Sequence, residues 1–147
     1  MPFRLPPLLL LGSLLAITAI AWVIHKFLRH RIKKRLRRFA NDWKMRYAER
    51  DLFHLAPRIA AIVPVPGAAD LRVIDVIYGS HGDTHRYLFT AEYTRGVVGR
   101  HEREQRVMTF AEPKDPTPEN PPTPLVCAPP NLPIADQYVH LHEHCPV

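Results

Sequence analysis

At 147 residues the chain has room for one small domain with appendages, since domains commonly hold roughly 100 to 150 residues. Its formal charge of +6 is unevenly spread: residues 1–50 carry 12 Lys/Arg against 2 Asp/Glu, and residues 51–147 carry 8 against 12. That division argues against a basic domain that grips nucleic acid, because the part that must fold is mildly acidic and the positive charge lies beside an apolar segment.

That apolar segment comes first. Residues 5–24, LPPLLLLGSLLAITAIAWVI, are twenty consecutive uncharged residues, and a helix of that length covers the roughly 30 Å of bilayer hydrocarbon. Pro6 and Pro7 fall in the first turn, where a missing N–H does no harm, and Trp22 lies near the far end, where an indole suits the headgroup interface. The spacing predicts a transmembrane anchor over 1–28. Only Arg4 precedes the uncharged stretch 5–24, whereas Lys26, Arg29, Arg31, Lys33, Lys34, Arg35, Arg37 and Arg38 come after it. The positive-inside rule then sets the N-terminus outside and the body in the cytoplasm. The alternative is a cleaved secretory signal with Arg4 as its basic start and Ala19–Ile20–Ala21 as its cleavage site. Against it, apolar residues continue through Trp22, Val23 and Ile24, and the eight cations resist translocation.

Over 29–50 the pattern predicts a basic amphipathic juxtamembrane helix. Leu28, Ile32, Leu36, Phe39, Trp43 and Tyr47 recur at spacings of four and three, one helical stripe with most cations off it. The eight cations form a candidate membrane-surface set, each worth on the order of 1 kcal/mol on an anionic leaflet. For Leu28 to Leu36 the membrane is the favoured contact. For Phe39 to Tyr47 the stripe serves equally as a face packed on the chain's own domain.

Residues 51–112 read as a small cytoplasmic α+β domain. The loop VPVPGAAD separates helical from strand-like sequence. LRVIDVIYG (71–79) and RYLFTAEYTRGVV (86–98) are rich in β-branched and aromatic residues, and Gly82 and Asp83 between them suit a tight hairpin. QRVMTFAEP (105–113) supplies a third strand. In the second, Tyr87, Phe89, Ala91 and Tyr93 share one face, so one side of a three-stranded antiparallel meander is expected to be buried, with the helix from Phe39 to Tyr47 as its cover.

Residues 113–147 form a Pro-rich tail. Nine prolines lie within 113–133, an extended spacer by composition that lays the tail back over the domain; P-x-x-P spacings such as Pro118 to Pro121 have only Lys114 as a nearby cation. The end, HLHEHC, alternates His140, His142 and His144 beside Cys145. On a strand those imidazoles share a face, a candidate zinc or copper site, although its spacing fits no closed zinc motif and solvated tail histidines are the simpler reading. Cys127 and Cys145 are the two cysteines, too few for a disulfide framework. A reducing compartment fits them, and an exported domain with one bridge is the alternative.

For catalysis the chain has no G-x-S-x-G elbow, no phosphate-cradling glycine loop and no H-E-x-x-H. Asp75, Tyr87, Glu92 and Tyr93 have the chemistry to line a pocket, but alternating tyrosines in strands serve packing first. His81, Asp83 and His85 crowd a turn where polar residues belong. No catalytic residue and no cofactor is assigned. ANDWKMRYAERD, RVIDVIYGSHGDTHRYLFTAEYT, QRVMTFAEP and LVCAPPNLPIADQY together resemble, over roughly residues 30–140, small bacterial membrane-anchored proteins of uncharacterised function: an N-terminal transmembrane helix, a basic helix and a small antiparallel β domain. The resemblance rests on packing and turn residues, and it implies a membrane setting without chemistry. The expected role is an interaction or regulatory module whose partners are the lipid bilayer and a membrane or cytoplasmic protein, or a second copy. An exported protein, a metal-binding tail and a membrane-anchored hydrolase are the alternatives.

Overall fold

A computed structural model of the chain describes residues 6–97 and 100–145. Helix α1, Pro7–Asp42, is 36 residues long. It is the one helix among the described residues long and apolar enough to cross a membrane, and none of its most apolar window is buried. The chain divides into two compact units, Met1–Lys34 and Arg35–Val147.

In the second unit, after the end of α1, come β1 (Arg46–Arg50), α2 (Leu55–Ile59), β2 (Ala68–His81), β3 (Thr84–Val97), β4 (Arg100–Pro113), β5 (Val126–Cys127) and α3 (Ile134–His144). The five strands stand in chain order, each antiparallel to the next. The architecture is α+β as expected, but the sheet has five strands where the sequence pattern indicated three.

One added strand was hidden by a helix that stops without its usual signal. The Lys44 N–H donates to the Asn41 carbonyl at 3.1 Å and the Met45 N–H to the Ala40 carbonyl at 2.7 Å, the bond pair of a Schellman closure. Lys44 takes the left-handed residue of that closure at φ +56°, where glycine is the usual choice. The aromatic period runs on through Trp43 and Tyr47, yet Trp43 sits in the turn and Tyr47 on β1. The helix expected over 29–50 therefore ends at Asp42.

Strand β2 is bent by two bulges. Pairing with β3 slips between Ala69 and Arg72 and again between Ile74 and Ile77. Asp70 and Asp75 lie inside these slips at φ +51° and +53°, aspartate being among the few side chains that tolerate the left-handed region. The β2–β3 turn places Gly82 at φ +58°, first of the two residues between His81 and Thr84, as the hairpin signal requires.

Both faces of the sheet are covered. Tyr87, Phe89, Ala91 and Tyr93 do share a buried face, together with Val73, Val76, Met108 and Phe110. Its cover is Leu55 and Ile59 of α2 with Val65 of the following loop, which corrects the expectation that the helix from Phe39 to Tyr47 lies there. On the other face, Thr90 and the Asp75 backbone carbonyl hydrogen-bond Tyr138 of α3. The end of α1 joins α3 through the Arg35–Asp136 ion pair at 3.1 Å and the Trp43–His142 ring stack at 3.9 Å. Leu36 and Ala40 are buried, so Leu36, assigned above to the bilayer, belongs to the folded domain.

The proline-rich stretch straps the β4 edge. Thr123 exchanges hydrogen bonds with both backbone groups of Ala111, β5 pairs with Met108 and Thr109, and the Ala128 N–H donates to the Val107 carbonyl at 2.9 Å. Buried Gln137 completes the edge: its Oε1 accepts from the Val107 N–H at 2.9 Å and its Nε2 donates to the Leu132 carbonyl at 2.8 Å. From Val107 to Ala111 the β4 edge is thereby occupied and offers no template for pairing with a second chain.

Candidate functional site

A cleft of about 650 Å³ lies at the hairpin end of the sheet. Three parts of the chain build it. The turn after α1 and the start of β1 contribute Lys44, Met45 and Arg46; the α2 segment contributes Phe53 and Arg58; and the other strands contribute Tyr78, Gly79, Ser80, His85, Tyr87 and Glu112. The strand residues meet because the tight hairpin sets their register: Tyr78 pairs with Tyr87, Ser80 with His85, and His85 in turn with Glu112.

Aromatic rings form one wall. Phe53 meets Tyr78 and Tyr87 edge-on, with centroids 4.6 and 5.3 Å away, and Tyr87 stacks on Phe110 at 5.1 Å. Gly79 packs closely against Met45: a Cβ there would stand 3.0 Å from Cγ of Met45. The polar groups are largely engaged with one another. Glu112 accepts from the Tyr87 hydroxyl at 3.0 Å and pairs with Arg58, while Ser80 Oγ lies 2.8 Å from His85 Nδ1. The Ser80–His85 pair holds a hydroxyl and a base, but Glu112 directs its two oxygens at Tyr87 and Arg58, so the charge relation of a hydrolytic triad is not assembled.

A second polar constellation is buried at the Asp75 bulge. The Tyr47 hydroxyl donates to Asp75 Oδ1 at 2.6 Å, the Tyr138 hydroxyl donates to the Asp75 carbonyl, and Thr90 Oγ1 lies 2.9 Å from that same hydroxyl. Of the residues proposed above as pocket-lining, Tyr87 does line the cleft, whereas Asp75 is fully buried in this network.

These environments hold three tyrosines in the neutral form. Burial, then the hydrogen bond to Asp75, pushes Tyr47 far above its ordinary value. Burial followed by the bond to Glu112 raises Tyr87, and burial followed by the bond to Glu104 raises Tyr93. A raised folded value means a contribution to stability fully present below the unfolded tyrosine value of about 10 and lost as pH climbs through the folded values. Absorbance at 295 nm should therefore rise at higher pH for the folded chain than for the urea-unfolded chain, with unfolding beginning above about pH 10. Tyr47→Phe should remove the last-titrating component. Coincident native and unfolded curves would contradict this account.

The candidate membrane-surface cations divide between the two units. In the first, the Lys26 ammonium sits over the Trp22 ring at 4.1 Å and the Arg31 guanidinium over Phe27 at 4.6 Å, Arg29 and Lys33 are half-exposed and Lys34 is exposed. In the second, Arg35 is engaged by Asp136 and lies over Phe39, Arg37 lies over Tyr47 at 5.5 Å, and Arg38 is exposed.

The candidate metal residues lie on a helix, not a strand, which removes the alternation that would align them. His140 and His144 stack on one side, centroids 4.3 Å apart, while His142 stacks on Trp43. Burial, then the Arg86 charge, lowers the His142 value. Arg86 donates to the carbonyls of Leu141 and Cys145 at the end of α3, where a cation answers the helix dipole. Among the described residues no group of three His, Cys, Asp or Glu is placed to hold a metal ion, and Cys127 and Cys145 are both free thiols.

Sequence reasoning missed the cleft because Lys44, Arg46, Phe53 and Arg58 come from segments read as helix or left without a role. Half of it was within reach: the Gly82–Asp83 turn implies the Tyr78–Tyr87 and Ser80–His85 pairs directly. No protein-family model matches the chain, and no curated protein and no solved structure is significantly similar to it.

Proposed function

We propose that the chain is a single-pass protein of a bacterial inner membrane whose α+β domain works on the cytoplasmic side as an interaction or regulatory module. The observation that supports this reading most is the apolar part of α1. Its residues from Leu8 to Leu28 include a succession of large side chains more than half exposed, a surface that is costly in water and favourable in hydrocarbon. The cations from Lys26 onward favour a cytoplasmic position for the domain on their C-terminal side. A binding role suits the domain better than a catalytic one, since its acid, base and hydroxyl groups are arranged pairwise within the cleft and the Asp75 network.

The topology is tested by protease accessibility in spheroplasts carrying the full chain with a C-terminal tag. The tag should survive external protease and be lost after lysis. Digestion from outside would overturn the cytoplasmic orientation, and release of the chain by alkaline carbonate would overturn the anchor.

A further inference from the structure

The cleft at the hairpin end combines an aromatic wall with a cationic mouth. We infer that it binds a small amphiphilic anion, a planar apolar body carrying one negative head, with the body against Phe53, Tyr78, Tyr87 and the Met45 side chain that covers Gly79, and the head between Lys44 and Arg46. This inference concerns the second unit alone and stands whichever way the anchor is oriented.

Size comes first: about 650 Å³ lies within the roughly 300 to 1,000 Å³ of small-molecule sites. The charge is one-sided. Lys44, Arg46 and Arg58 line the cleft against Glu112, and Glu112 is already matched by Arg58, which leaves the two cations of the α1–β1 turn to set the sign of a guest. Lys44 and Arg46 are both exposed at the surface, so an incoming anion reaches them without first displacing a buried pair.

The backbone carries an independent indication. Lys44 occupies a left-handed position at φ +56° that glycine would take without strain, and unfavourable backbone geometry gathers where a side chain is required for function. The side chain kept there at that cost is one that lines the cleft. Its neighbour Met45 spans the glycine floor, with Cγ 3.0 Å from where a Gly79 Cβ would stand, so a flat guest entering the cleft must touch Met45.

Met45 is also the reporter. The chain has three methionines: Met1, Met45 in the cleft wall, and Met108 buried in the core. The full chain, labelled with ¹³C-methyl methionine and held in nanodiscs of zwitterionic phosphatidylcholine, is titrated with 2-naphthoate and separately with neutral 2-naphthylmethanol. The expected result is a saturable shift of the Met45 methyl with Met1 and Met108 unmoved, about tenfold weaker for the alcohol, a difference of about two exposed ion pairs of about 0.7 kcal/mol each. The doubly substituted K44G/R46S chain should lose about tenfold in naphthoate affinity on the same grounds. Glycine suits the backbone at position 44, and an unchanged Met108 resonance reports that the core is intact. Equal binding of acid and alcohol, full affinity in the doubly substituted chain, absence of a Met45 shift, or a parallel drift of all three methyls through bilayer partitioning would each overturn the inference.

Discussion

Replacing Leu36 by alanine is expected to cost the domain about 2–5 kcal/mol, the range for removing a buried leucine side chain and leaving a cavity. Leu36 is 0 % exposed, although its place on the α1 stripe is indistinguishable from that of Leu28, which is 52 % exposed. Leu28→Ala should therefore leave the unfolding of the domain within about 0.5 kcal/mol of the parent. Urea unfolding of the full chain in mild detergent measures both, with Trp43 emission as the signal in a Trp22→Phe background. Trp43 stacks on Phe39 and on His142, so it senses release of the α1 end from α3. Equal effects at the two positions would mean that α1 does not contribute its last turns to the core.

The second large effect is expected at Asp75. Asp75→Ala removes the acceptor of the Tyr47 hydroxyl and leaves a Cβ-bearing residue without a compensating side-chain bond at φ +53°. An abandoned, partly buried hydroxyl costs about 1–3 kcal/mol and an unsupported left-handed residue about 1–2 kcal/mol. Relief of burying a carboxylate offsets part of this, so a net loss of about 2–4 kcal/mol is expected. Asp75→Asn keeps both an acceptor and a side chain tolerant of that conformation, and should cost least. Asp75→Gly keeps the backbone alone and should fall between. The same series has an optical readout: Asp75 raises the Tyr47 value both by hydrogen bond and by charge, so Asp75→Asn should bring the last tyrosine ionisation to lower pH. If Ala, Gly and Asn unfold alike, the network contributes nothing beyond the space it fills.

These two positions show which features could be seen in advance. The long apolar segment and the shared face of Tyr87, Phe89, Ala91 and Tyr93 follow from composition and from the two-residue period of strands, properties that neighbours along the chain carry without help. The hairpin at Gly82 is equally local, because a two-residue turn needs a residue free to take positive φ. The cover of the aromatic face could not be seen: α2 is a five-residue helix, too short to show a period. The placing of the histidines was hidden for a related reason, since the sense of HLHEHC depends on whether its backbone is strand or helix, and docking on the sheet through Ala135, Gln137, Tyr138 and Leu141 selects the helix.

By itself, then, the sequence determined an apolar helix of membrane-spanning length, the uneven charge beside it, and an antiparallel sheet behind a tight hairpin, because hydropathy, charge and turn chemistry act over a few residues. The tertiary structure alone decided where α1 stops, which of its leucines are core, that the proline-rich stretch closes the β4 edge, and that Lys44, Arg46, Phe53 and Tyr87 meet in one cleft. Each of those depends on groups far apart in the chain satisfying one another's hydrogen bonds or burying one another's surface. Lys44 takes a left-handed place that glycine would take without strain, and no local preference of the chain announces that.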